Sequence, residues 1–233
     1  MAPPSDIRPA GSAPTGSGAD PAVDAALAAR LAAYRETTVA ALATIDLDAV
    51  ARVIELVDEA YRDDRKVLVY GNGGAATTAA HLAEDLATYA IPFDDPKRLQ
   101  VLSLADSPSV ITALGNDTSF EQVFAEQIQQ WARPGDLVIA MSGSGNSPNI
   151  LAGVERARAI GCTTIGMSGF DGGKLRGMVD IPLHVDVPAM QNSQDGHLVI
   201  VHLIIDGFRA RVRGEIPRGD AASDAASGGA TPS

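Results

Sequence analysis

Residues 66–89 constrain this chain more than any other stretch. A β-branched run, Lys66–Tyr70, leads into Gly71-Asn72-Gly73-Gly74, and a small-residue segment of helical character, Ala75–Tyr89, follows without a spacer. Glycines at such a turn let a ligand approach the backbone closely, and the helix N-terminus beyond them offers unpaired N–H groups to an anion. His81 and Asp85 are four apart, so they share one helix face, where they can share a proton path or a metal ion. A loop suited to phosphate and a pair suited to proton transfer, on one element, point to chemistry on a sugar phosphate.

The same alternation continues along the chain. Helical periodicity predicts helices at 22–43 and 46–63, the second with Asp46 or Asp48 as N-cap. Strands are predicted at 66–70, 99–104, 137–141, 163–167 and 181–187. The later helices are predicted at 75–89, 107–115, 119–131, 148–160 and about 193–213. Strands alternating with helices predict an α/β fold, a mainly parallel sheet covered on both faces. The Ala/Leu stripe of the two opening helices exceeds what one sheet face needs. It packs either on the chain's own sheet or against another subunit.

Residues 1–21 and 218–233 are Ala-, Pro-, Gly-, Ser- and Asp-rich and are expected to be disordered tails around one domain, 22–217. The net charge of −11 argues against nucleic acid as a partner. No segment has the makings of a signal peptide, and no apolar run approaches the ~18 residues of a membrane span. The lone cysteine, Cys162, sits beside an apolar run and reads as a buried, inert thiol. Without a disulfide framework the chain suits the cytoplasm.

A second glycine loop, Met141-Ser-Gly-Ser-Gly-Asn-Ser-Pro-Asn149, follows the third strand and opens a helix with Pro148 in its first turn. Ser142, Ser144 and Ser147 supply hydroxyls, and Gly143 and Gly145 let the backbone curl around a phosphate. A plain Ser/Gly turn with an N-cap is the alternative. Two such loops at strand C-termini favour the phosphate site, because open α/β sheets bind ligands at that edge. Neither loop has G-x-G-x-x-G or G-K-[ST] spacing, so neither is a nucleotide fingerprint.

His197 and His202, five apart, open the last helix and share no face well. Either alone reads as a core histidine. His202 with His81, Asp85 and Gln194 would make a plausible site for zinc or a similar ion. Gln194 and His202 are eight apart, ~12 Å along a regular helix, so this set requires a bent entry near Asn192, Ser193 and Gly196. Asn116-Asp117 offers groups for sugar hydroxyls, although the spacing favours Asp117 as a cap for the next helix.

Taken together, the blocks GNGG…AHLAEDL, ALGNDTSFEQVF, GDLVIAMSGSGNSPN, TTIGMSGFDGGKL and Q-x7-H resemble the sugar isomerase (SIS) domain, and within it the phosphoheptose isomerases, over about residues 30–213. The resemblance implies a three-layer sandwich around a five-stranded parallel sheet. It also implies a homotetramer with active sites between subunits, and isomerisation of sedoheptulose 7-phosphate to an aldoheptose 7-phosphate. The family's zinc ligands fall on His81, Asp85, Gln194 and His202. Its phosphate loop falls on Ser142, Gly143, Ser144 and Ser147, and its substrate-binding Asn and Asp fall on Asn72 and Asp117. Gly73, Gly74, Asn116 and Gln194 complete the expected substrate contacts.

The chain departs from the family pattern. Asp85 stands where Glu is expected, Ala75 and Gly143 where Ser and Thr are common, and Gln191 where Asp is frequent. The expected mechanism runs through an enediol. Asp85 moves the proton between adjacent carbons, His202 moves protons between the two oxygens, and a bound metal polarises them. A non-catalytic sugar-phosphate sensor or protein-binding module is one rival; an isomerase of another phosphorylated ketose is a second.

Overall fold

The computed structural model describes residues 24–218, so the expected tails, 1–21 and 218–233, lie outside it except for Arg218. The chain divides into a short unit ending at Glu36 and a main unit from Thr37. The short unit is the first part of α1 (Ala25–Leu42), where Leu27 and Leu31 are exposed.

In the main unit, α2 (Leu47–Arg62) starts where its capping residue predicts. The Asp46 carboxylate accepts from the N–H groups of Asp48 and Ala49 at 3.0 and 3.1 Å. Five parallel strands then form one sheet in the order β2-β1-β3-β4-β5, with β1 at Lys66–Gly71, β2 at Gln100–Ser103, β3 at Leu137–Ser142, β4 at Thr163–Ser168 and β5 at Ile181–His184. The three central strands are buried almost throughout, whereas the two edge strands are only partly covered. That contrast is what helices on both faces of a parallel sheet require.

One core joins Val67, Val69, Ile139 and Met167 to α2, α3 (Gly74–Ala87) and α8 (Met190–Val212). The other joins Leu68, Tyr70, Val138 and Ala140 to α4 (Pro108–Asp117), α5 (Val123–Trp131), α6 (Pro148–Ile160) and α7 (Gly173–Met178). At the strand N-termini, buried Asp136 binds the Lys66 N–H at 2.8 Å and its ammonium at 3.2 Å, fixing β1 against β3. The strand order reverses at β1, so the loops after β1 and β3 open a crevice at the C-terminal edge.

Four expectations need correction. The expected helix at 119–131 is a 3₁₀ turn, Phe120–Gln122, followed by α5. Strand β5 stops at His184 although Val185 and Val187 are buried, because beyond it the ladder breaks into two isolated bonds, Val185 N to Ser168 O and Phe170 N to Val187 O. Helix α7 was not anticipated. It is Gly-rich and aperiodic, and bonds from Lys174 N to Asn146 Oδ1 and from Leu175 N to Gly145 O hold it in place. Helix α8 starts three residues early, at Met190, and runs without a break, so the bent entry at 192–196 is absent. No helix among the described residues is long and apolar enough to cross a membrane.

Candidate active site

The two glycine loops meet. Asn72, after β1, and buried Asn149, in the first turn of α6, exchange two amide hydrogen bonds of 2.9 Å each. A cavity of about 220 Å³ opens beside this pair, lined by Asn72, Ala75, Ser142, Gly143, Ser144, Ser147 and Gln194, with Met141 and Met190. Ser147 occupies the N-cap position of α6 but makes no capping bond; its hydroxyl lies 3.4 Å from that of Ser142. The alternative of a simple capped turn is therefore not what forms. Hydroxyls and helix N–H groups are left for an anion, with the helix dipole adding favourable potential.

Glycines are needed here for space and conformation. Gly73 has φ +53°. At Gly74 a Cβ would stand 2.7 Å from Gln194 Nε2, so the bare α-carbon is what lets the Gln194 amide reach the cavity. Gly145 has φ +63°, and a Cβ there would meet Gly172 O at 2.0 Å. Gly143 leaves room that the Met190 thioether takes: a Cβ would lie 2.5 Å from its sulfur.

Further along the same two helices stands the second group. His81 Nε2 and Asp85 Oδ2 are 3.1 Å apart, one turn apart on α3. A carboxylate offers only acceptors, so this bond needs the Nε2–H tautomer of His81 and leaves Asp85 Oδ1 free. The His202 ring meets the His81 ring edge-on at 5.1 Å between centroids. Asp85 and His202 also line a cavity of about 360 Å³ with Tyr89, Ile205, Asp206 and Arg209.

This donor set suits an ion of zinc's type in its chemistry. Two imidazoles on one tetrahedral ion would have ring centres about 5 Å apart, given metal–nitrogen bonds of about 2 Å. Among the described residues, however, no three His, Cys, Asp or Glu side chains are grouped so that they could hold an ion. A metal therefore requires a side chain to turn. Gln194 lies two turns of regular helix from His202, at the cavity between the glycine loops.

Asn116 and Asp117 end α4. They are exposed, bond to each other at 2.8 Å, and do not line the cavity between the glycine loops. The expected capping role of Asp117 is overturned: α4 absorbs it, and Ser119 stands at the N-cap of the next turn. Gln191 is exposed in the first turn of α8.

Near the second glycine loop lies a largely buried polar cluster. His184 Nδ1 is 3.1 Å from Ser168 Oγ. His197 is buried as a core residue, yet its Nε2 and the hydroxyl of Ser193, one turn before it, have no protein partner. Burial holds both histidines below their ordinary value. For His184 the neighbouring Arg176 lowers it further. Cys162 is the inert thiol expected, pushed up to about 11 chiefly by burial.

The chain matches the SIS domain family over residues 28–169. It is 40% identical over 167 residues to a phosphoheptose isomerase of Geotalea daltonii, covering 71% of this chain and 85% of that protein. It is 34% identical over 171 residues to a probable phosphoheptose isomerase of Thermoplasma acidophilum, covering 73% and 93%. Its structure is similar to that of the phosphoheptose isomerase GmhA from Neisseria gonorrhoeae, with a TM-score of 0.73 at 30% identity, covering 79% of this chain and all of that one. The NanR protein of Vibrio vulnificus, at 17% identity and a TM-score of 0.58, shares the fold, covering 86% of this chain and 71% of that one. With a five-stranded parallel sheet, two facing glycine loops and these relatives, the chain belongs to the SIS domain family and, within it, to the phosphoheptose isomerases.

Proposed function

We propose that this chain converts sedoheptulose 7-phosphate to D-glycero-D-manno-heptose 7-phosphate through an enediol. The observation that carries the reading is that α3 and α8 each run from one cavity to the other. Ala75 and Gln194 line the phosphate cavity, and Asp85 and His202 stand two to three turns further on. Gln194 and His202 are eight positions apart on one helix, ~12 Å along the axis, which suits a long phosphorylated ketose better than a triose.

The hydroxyls of Ser142, Ser144 and Ser147 and the first N–H groups of α6 take the phosphate, with Asn72 and Gln194 on the sugar beside it. Asp85, held through Oδ2 by His81, uses its free oxygen to take the proton from the carbon next to the carbonyl and return it to the neighbouring carbon. His202 moves protons between the two oxygens. If a divalent ion is present, His81, Asp85 and His202 would hold it once a side chain turns, while Gln194, two turns away on the unbroken α8, stays with the other cavity. Such an ion would polarise the sugar oxygens. Elemental analysis of protein purified without chelator tests that part directly.

A homotetramer and a cytoplasmic location belong to the same reading. Exposed Leu198 and Leu203 near His202 on α8 support assembly, and the single reduced cysteine suits the compartment. Light scattering of the purified protein tests the first.

The deciding experiment is turnover of sedoheptulose 7-phosphate with zinc and with chelator. Formation of an aldoheptose phosphate supports the isomerase. Tight calorimetric binding without conversion supports a sugar-phosphate-binding module instead.

A further inference from the structure

Helix α8 presents one more polar group to the Asp85–His202 cavity. Following His202 along one face gives Ile205, Asp206 and then Arg209, and continuing His81 and Asp85 by one turn past the end of α3 gives Tyr89. The Arg209 guanidinium lies 4.8 Å from the centre of the Tyr89 ring, and its Nη1 donates to the Tyr89 hydroxyl. Its Nη2 donates to Asp206 Oδ1 at 2.9 Å. These contacts fix the guanidinium on the cavity wall.

The chemistry of the cavity calls for such a group. Its wall carries two carboxylates, Asp85 and Asp206, and enediol formation places further negative charge on a sugar oxygen. A cation fixed beforehand where charge develops stabilises the transition state more than the ground state. A guanidinium has five N–H donors, and two bonds to protein leave others for sugar oxygens.

Resting on the isomerase reading above, we propose that Arg209 contacts the substrate, stabilises the developing enediolate in the Asp85–His202 cavity, and is held in place by the Tyr89 ring and hydroxyl. The plainer alternative is a surface stacking pair that only fastens α8 to the end of α3.

Steady-state kinetics of Arg209→Met, Arg209→Lys and Tyr89→Phe in the full chain separate the two. The proposal expects Arg209→Met to lose on the order of 100-fold in kcat with KM within about threefold and an unchanged melting temperature. It expects Arg209→Lys to fall between, Tyr89→Phe to lose several-fold, and added guanidinium ion to restore part of the Arg209→Met rate. A kcat for Arg209→Met within about twofold of the parent overturns it. So does a rate loss that tracks a lowered melting temperature and does not respond to guanidinium. If Arg209→Met does not fold, a parental kcat in both Arg209→Lys and Tyr89→Phe overturns it. A parent chain that turns over no ketose phosphate overturns the isomerase reading and this inference with it. An active parent with an equally active Arg209→Met overturns this inference alone.

Discussion

Asn72 and Asn149, 77 positions apart, face each other through two reciprocal amide hydrogen bonds of 2.9 Å. The pair ties the loop after β1 to the first turn of α6, so the two halves of the phosphate cavity share one joint. Asn149→Ala removes both bonds and strands the Asn72 amide, at a cost of about 1–3 kcal/mol in urea unfolding. KM for the sugar phosphate should rise about tenfold or more, with a smaller change in kcat. Asn149→Asp should raise KM further, because the carboxylate cannot donate to Asn72 and adds negative charge beside a phosphate.

Asp85 and His202 are assigned the proton transfers. Asp85→Asn keeps the shape and removes the base, and kcat should fall by about 100-fold or more. His202→Ala should do the same. His81→Phe should act through Asp85: a smaller fall in kcat, without the rise in KM expected when Asn149 is changed. Calorimetry with inorganic phosphate alongside kinetics checks the split.

Two glycines in one loop should respond in opposite ways. Gly143→Ala meets only the mobile thioether of Met190, so stability should move by less than about 1 kcal/mol while Met190 swings aside. Gly145→Ala meets a left-handed φ of +63° and the Gly172 carbonyl at 2.0 Å. It should cost about 2 kcal/mol or more and abolish phosphate binding. Urea midpoints and phosphate calorimetry on both variants check the contrast.

Stability should fall in mild acid. His184 and His197 are held below 6.5 in the folded chain, chiefly by burial. Below 6.5 the unfolded chain binds protons that the folded chain resists, so stability is fully present above that pH and is lost as pH drops through the window beneath it. His197→Gln should flatten that part of the profile. Melting temperature against pH, for the parent and the variant, is the measurement.

Much of this site was legible because it is local. A β-run, a glycine turn and a helix N-terminus are contiguous twice over, and the i, i+4 pair His81–Asp85 is visible on any helical projection. What escaped is what tertiary contacts decide. The α8 start at Met190 has Ala189 at its N-cap with no side-chain bond, so nothing in the sequence marks it. The placement of Gln194 followed from that missed boundary. Asp117 had the composition of a cap, yet α4 runs on through it. Met190 is simply apolar in the sequence and gains meaning only where it fills the space beside Gly143. Arg209 and Tyr89 did carry a signal: the helical stripes through His202 and Asp85, extended one turn, reach them both.

Helix α8 carries Met190 and Gln194 at one cavity and His202 and Arg209 at the other on a single unbroken run of 23 residues. Each residue added to a helix turns everything after it by about 100° and advances it ~1.5 Å. One inserted or deleted residue between Gln194 and His202 would therefore point the imidazole and the guanidinium away from Asp85 while leaving the phosphate loop whole. The stretch between the two cavities can therefore diverge only by exchange of side chains at constant length.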